Sequence, residues 1–213
     1  MNKPVTLTNP TGRLTLGDVL RMLVNDGIVD KVQAEKLYKD RKLDSSRLHP
    51  LVVIGEQKWK SLHAPHKVFT VEGLSNWLAL RAGLDFYHID PLKLDFGSAA
   101  KLFSQGYAER LKIMPISAKN GEAVVATTEP FSTEWIPDLE RVINMKVKLV
   151  VANPLEVSRY LPEIYNLANS MNAADIAKAG QVVGVQNFEQ LLELGKDQNL
   201  DANEQHVVNI RCV

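Results

Sequence analysis

His63 and His66 stand three residues apart in QKWKSLHAPHK, and two imidazoles at that separation are half of a zinc site. The other half is missing. No carboxylate or cysteine lies between or beside them, Pro65 disfavours the helix that would align them, and the neighbouring lysines repel a cation, so the stretch reads as a solvated loop. His88 with Asp90 offers an imidazole and a carboxylate for proton transfer. No nucleophile is placed beside them, which makes a hydrogen-bonded turn histidine the simpler reading. Gly195-Lys196 is followed by Asp197 and lacks the upstream glycine, and no GxxxxGK[ST] occurs anywhere, so nothing cradles a nucleotide's phosphates or holds its magnesium. The single cysteine, Cys212, excludes an internal disulfide and any multi-cysteine metal centre. The expectation is a chain with no catalytic residue, no metal and no enzymatic activity of its own.

The element around which the chain is organised runs from Ile113 to Tyr165. Short β-branched runs, Val124-Val125-Ala126 and Val147 to Val151, are punctuated by Asn120-Gly121, Glu129-Pro130 and Asn153-Pro154. Asn-Gly between two apolar runs predicts a tight hairpin, because both central residues of that turn need positive φ. Trp135, Leu139, Val142 and Ile143 then fall at helical spacing and predict one apolar face. A strand from Met145 to Ala152 and a helix opened by Leu155 complete an α+β module with a mixed sheet covered by helices on one side. That last helix carries Leu161, Ile164, Leu167, Ala168 and Met171 on one side and reaches toward Ala179.

Before this module the pattern is helical. Leu16, Leu20, Leu23 and Val24 repeat behind an N-capping Thr15 and stop at Asn25-Asp26-Gly27. Asp30 caps a second helix, with Val32, Leu37 and Tyr38 inward, and the two form an αα-hairpin. HPLVVIGE reads as an extended segment docked on these helices. Thr70 to Gly83 is a helix lined by Leu74, Trp77, Leu78 and the stem of Arg81, and a further helix is expected around Ser98 to Ser104, followed by a helical turn at Tyr107, Ala108 and Leu111. The first residues, Met1 to Thr11, and the tail from Gly180, where Phe188, Leu191 and Leu192 cluster among polar residues, read as poorly ordered and tether-like. The expected divisions are a helical N-terminal subdomain (1–83), the α+β domain (84–172) and a flexible linker or tail (173–213).

With 25 basic and 25 acidic side chains in 213 residues, the chain has no net field to draw it to nucleic acid or an anionic membrane. No apolar run approaches the roughly 20 residues of a membrane span, and no signal peptide opens the chain. A cytosolic location is expected.

The run YHIDPLKLDFGSAAKLFSQGYAERLKIMPISAKNGEAVVATTEPF, then DLERVI and VKLVVANPLEVSRYLPEIY, resembles the N-terminal domain of the assembly ATPases of type II secretion and type IV pilus extension, the GspE/PulE/PilB-like family. Asp90-Pro91, Met114-Pro115 and Asn153-Pro154 stand where that pattern places its turns and strand ends, and the likeness covers about Leu84 to Tyr165. It implies docking onto the cytoplasmic part of an inner-membrane platform protein, with motor domains of an assembly ATPase as second partner. The chain would then be peripheral to the inner membrane, without insertion and without nucleic acid. The motor's phosphate loop and paired CxxC motifs are absent from these residues, and Arg211-Cys212-Val213 departs from the family's linker pattern.

The resemblance also implies cyclic di-GMP as a ligand, held by a tandem RLGxxL…G motif in which arginine meets guanine or phosphate, glycine permits close approach and leucines pack on the bases. Here Arg13, Leu16, Gly17 and Gly27 are what remains of the first copy. Thr15 splits it, and the separation of Gly17 from Gly27 exceeds the motif's spacing. With Gly27 as anchor, Asp18 takes the arginine's place and repels a phosphate. The second copy, around HPLVVIGE, keeps little beyond Gly55.

Overall fold

The computed structural model describes residue 7 and residues 12–41, 48–63, 65–94 and 96–182, with side chains to residue 170 other than those of 41, 92, 96 and 97. The expectations for Met1 to Thr11, for Met171 and for the Phe188, Gly195-Lys196 and Cys212 segments lie outside what is described.

Helix α1 (Leu16–Asn25) starts where the sequence predicts: Thr15 accepts from the Asp18 N–H while Asp18 reaches back to the Thr15 N–H, a reciprocal capping box. It ends at Asp26-Gly27, where Gly27 adopts φ +70°. Asp30 caps α2 (Lys31–Arg41) by accepting from the Val32 and Gln33 N–H groups. The inward stripe of α2 corrects the expectation. Ala34 and Leu37 are buried, whereas Val32 and Tyr38 are 73% and 44% exposed. Val32 lies two residues before Ala34, about 200° around the helix, so both cannot face the same core.

A second correction concerns HPLVVIGE. It is not extended but helix α3 (Pro50–Glu56), with Pro50 in the first turn and His49 as N-cap accepting the Leu51 N–H at Nδ1, 3.2 Å. Leu51 to Ile54 are all buried. A helix enclosed on every side shows no alternation or amphipathic stripe, so the β-branched composition misleads and tertiary packing overrides it. Helix α4 (Val71–Ala82) has the expected Thr70 cap and ends at Gly83 in the left-handed region.

The strand β1 (Asp85–Phe86) is too short to leave a periodic signal and is not anticipated. After a 3-10 turn at Pro91–Lys93 comes α5 (Phe96–Ala99), shorter than expected, because Ser104 does not close this helix. Instead its hydroxyl caps α6 (Gln105–Leu111). The hairpin of β2 (Ile113–Lys119) and β3 (Glu122–Thr127) turns through Asn120 and Gly121 at φ +54° and +77°, as predicted. Helix α7 (Ile136–Ile143), β4 (Lys146–Val151) and α8 (Pro154–Val182) follow.

The sheet order is β1-β4-β3-β2, with β4 parallel to both neighbours and β2 antiparallel to β3, so this is the small mixed sheet of an α+β fold. Edge strand β2 carries Pro115 and a register shift between Pro115 and Ser117, features that discourage pairing with another chain. Ile113, Met114, Val125, Leu139, Val150 and Ile164 belong to the core around the sheet. Val19, Leu23, Leu51, Ile54, Leu74 and Leu78 form the helical core, which Val151 at the end of β4 joins.

On α7 the packed stripe runs through Leu139 and Ile143 at helical spacing behind buried Trp135, and Val142 falls on its solvent flank at 80% exposure, against expectation. Leu167 on α8 is likewise 43% exposed, while Leu161, Ile164 and Ala168 are buried.

Candidate functional site

The α1–α2 hairpin frames a groove of about 510 Å³. Gly17, Leu20, Arg21 and Val24 line it from α1, and Ala34 and Tyr38 from α2. Its floor is apolar, and its walls carry Arg21, Lys31 and Glu35. Arg21 is held 3.0 Å from the buried Asp18 carboxylate, and Lys31 lies 3.9 Å from Glu35. A Cβ on Gly17 would stand 3.1 Å from the Tyr38 ring, so glycine lets the two helices close.

The four motif residues are distributed over different surroundings. Gly17 lines the groove. Leu16, its neighbour, packs half-buried on the helical core. Gly27 sits in the turn beyond α1, beneath His63, whose Nε2 is 3.2 Å from the Asp26 carbonyl oxygen. Arg13 is not among the residues that line the groove and donates from its guanidinium to the Arg110 carbonyl.

What holds the N-terminal segment is a buried clasp with little trace in the local sequence pattern. The Leu14 N–H donates to Glu129 Oε2 at 2.7 Å, and Glu129 Oε1 lies 3.7 Å from His49 Nε2. That nitrogen is 3.1 Å from the Thr128 carbonyl oxygen. With Nδ1 accepting from Leu51, His49 is a neutral imidazole carrying its proton on Nε2. Burial pushes it down to about 4, helped by Lys112 and opposed by the Thr128 contact. Burial also pushes the Glu129 carboxyl up to about 7, although the Leu14 N–H, Arg13 and Lys112 favour its ionised form. Glu129-Pro130 reads as a turn because Glu before Pro usually is one. The available hint was His49 before Pro50, the arrangement of an N-cap followed by a proline at the start of a helix.

The remaining histidines lie at the surface, and His88, read as a turn histidine, faces carboxylates of two helices instead. His63 and His66 are exposed, and His66 Nδ1 lies 3.0 Å from the Ser61 carbonyl oxygen. His88 is exposed and faces Glu156 at 3.2 Å and Glu72 at 3.9 Å, while Asp90 pairs with Lys93. Among the described residues, no three His, Cys, Asp or Glu side chains gather where a metal would sit, and no helix is long and apolar enough to cross a membrane.

Residues 82–171 match the model of the MshEN domain family. The chain is similar to Type IV pilus assembly ATPase TfpB of Acinetobacter baylyi, 33% identical over 195 residues, a match that takes in 90% of this chain and 33% of the relative. The chain thus spans about a third of the length of that curated relative. Among solved structures, that of MshE with cdg is 23% identical and covers 72% of this chain and 100% of its own, with a TM-score of 0.47. The N-terminal domain of XpsE is 13% identical and covers 68% and 91%, with a TM-score of 0.44. Arg13, Leu16, Gly17 and Gly27 all precede the residues matched to the MshEN family.

Proposed function

We propose that this chain is the non-catalytic docking and regulatory region of a type II secretion or type IV pilus assembly ATPase, and that it binds the cytoplasmic part of an inner-membrane platform protein. The observation that carries this is the extent of the likeness to TfpB. It runs through the helical hairpin as well as the MshEN domain, so both are parts of one inherited unit. Nucleotide hydrolysis is not assigned to these residues, because no phosphate loop occurs among them. The chain works by the surface it presents, from the cytoplasmic side of the membrane, and couples motor domains to the platform. Immobilised chain, folded by circular dichroism, is expected to retain the purified cytoplasmic domain of the platform protein. No retention under those conditions removes the reading.

Cyclic di-GMP binding at the α1–α2 hairpin is a second reading, favoured by the groove in which Gly17 and Arg21 meet apolar side chains. It ranks below the first because Arg21 and Lys31 already face Asp18 and Glu35, and Arg13 is engaged with the Arg110 carbonyl. Calorimetric titration with cyclic di-GMP decides it. Binding heat that disappears in Arg21→Ala supports the site, and no heat with the parent chain eliminates it.

A further inference from the structure

The N-terminal segment meets the α+β domain through Gly12, Arg13 and Leu14, just before α1 begins. Gly12 is buried at φ +74°, and a Cβ there would stand 2.3 Å from the Phe131 carbonyl oxygen and 2.8 Å from the Ser132 Cα, so backbone lies directly on backbone. Arg13 donates from its guanidinium to the Arg110 carbonyl, and the Leu14 N–H donates to Glu129 Oε2. A contact between two main chains cannot yield by rotating a side chain. This strap is therefore either seated on the loop after β3 or off it.

From the strap, a chain of bonds runs into the α1–α2 groove. Thr15, next after Leu14, donates its hydroxyl proton to Asp18 Oδ2 at 2.7 Å and accepts the Asp18 N–H at 3.1 Å. The other oxygen of Asp18 holds Arg21, 3.0 Å away, on the groove wall. The Asp18 side chain is buried and that of Arg21 is 46% exposed, so Arg21 both compensates a buried charge and stands open to a ligand.

We propose that residues 12–15 are a latch that makes the groove a sensing site: an anionic ligand that draws Arg21 away from Asp18 unseats the strap from the loop at Glu129 and Phe131. This rests on the second functional reading only for the identity of the anion, cyclic di-GMP. The sign follows from the charges. Deprived of its cation, the buried carboxylate costs more where it is, the capping box that it closes with Thr15 loosens, and Leu14 shifts with its neighbour. By linkage the reverse holds, and an unseated strap raises the groove's affinity for the anion.

Amide hydrogen exchange of the full chain, followed by NMR, tests this, with the Leu139 and Ile164 amides reporting on the folded core. Arg21→Ala is expected to speed exchange of the Leu14 N–H about tenfold or more and to leave the core amides at parental rates. Gly12→Ala, which forces the strap off, is expected to speed Val19 as well as Leu14, since the Val19 N–H donates to the Thr15 carbonyl at 3.1 Å where α1 begins. Should Gly12→Ala fail to fold, Glu129→Ala, which removes the acceptor of the Leu14 N–H, takes its place. Leu14 unmoved in Arg21→Ala, or Val19 unmoved once the strap is released, makes the strap a local tether and overturns the proposal. Saturating cyclic di-GMP is expected to speed Leu14 exchange in the parent chain. Binding heat without that change overturns the link from groove to strap, whereas no binding heat removes the second reading and leaves the variants to decide on the latch.

Discussion

Arg81→Ala lowers the unfolding free energy by about 3–5 kcal/mol, the range for removing one partner of a buried ion pair. The Arg81 side chain is 7% exposed and that of Asp26 20%, and their pairing ties the end of α1 to the last turn of α4. Asp26 also accepts the Trp77 indole N–H at 3.0 Å. Alanine at position 81 leaves this carboxylate in a half-dry site without its cation, and the loss is therefore larger than the contact itself is worth. Arg81→Met, which keeps the stem's packing but not the charge, is expected to be nearly as harmful, since the stranded carboxylate is the main cost. Urea denaturation followed by circular dichroism measures both. A loss of less than about 1 kcal/mol would place the pair with ordinary surface ion pairs and refute its role as the pin between these helices.

The clasp at His49 and Glu129 makes stability depend on pH in two opposed ways. His49 titrates at about 4 when folded and at 6.5 when unfolded, so the unfolded chain binds the extra proton between those values. Its contribution is complete above pH 6.5 and is lost as pH falls toward 4. For Glu129 the folded value is about 7 and the unfolded 4.5. Here the folded chain binds the extra proton, and the contribution is complete below pH 4.5 and lost as pH rises through 7. Each displacement corresponds to about 3 kcal/mol as an upper figure, and with opposite signs over nearly the same window they largely cancel in the parent.

Glu129→Gln uncovers the histidine. Its stability falls by up to about 3 kcal/mol between pH 6.5 and pH 4, relative to the parent over the same interval. The structural cause is local: a proton on Nδ1 turns the acceptor for the Leu51 N–H into a donor and removes the cap of α3. His49→Asn, which retains a capping oxygen, uncovers the other half, with stability falling as pH rises from 4.5 to 7. Thermal melts across that range decide the matter. Parallel pH profiles for the parent and both variants would show that the clasp does not titrate in this way.

Both predictions rest on residues that look ordinary in the sequence. Asp26 reads as part of an Asn-Asp-Gly stop, and so it is, but its second role needs Arg81 and Trp77, which lie 55 and 51 positions away. Glu129 reads as half of a turn, while its partner amide, at Leu14, is 115 positions distant. Contacts of this separation leave no local pattern. Capping residues do leave one. Thr15, Asp30 and Thr70 each bond to an N–H two or three residues on, and all were recognisable as helix starts. Asn120-Gly121 is legible for a similar reason, since few residues tolerate the backbone such a turn requires.

The candidate sites divide along the same line. A family resemblance singles out Arg13, Leu16, Gly17 and Gly27, but only the fold places Gly17 in a groove with Arg21 and Tyr38 and sends Arg13 to a carbonyl near the end of α6. Val142 illustrates the converse. Its spacing from Trp135 and Leu139 suits a buried face, and its exposure follows from how a two-turn helix is rotated against the sheet.

By itself, then, the sequence determined the α+β class, the starts of α1, α2 and α4, the hairpin, the absence of a phosphate loop and the likeness to assembly ATPases. All of these are written in neighbouring residues or in their order. Tertiary structure alone decided that the β-branched run at Val52 to Ile54 is helical, that His49 and Glu129 share a dry site, and which apolar side chains were left outside. Burial and charge pairing are set by what surrounds a residue in space, and for these residues the surroundings come from distant parts of the chain.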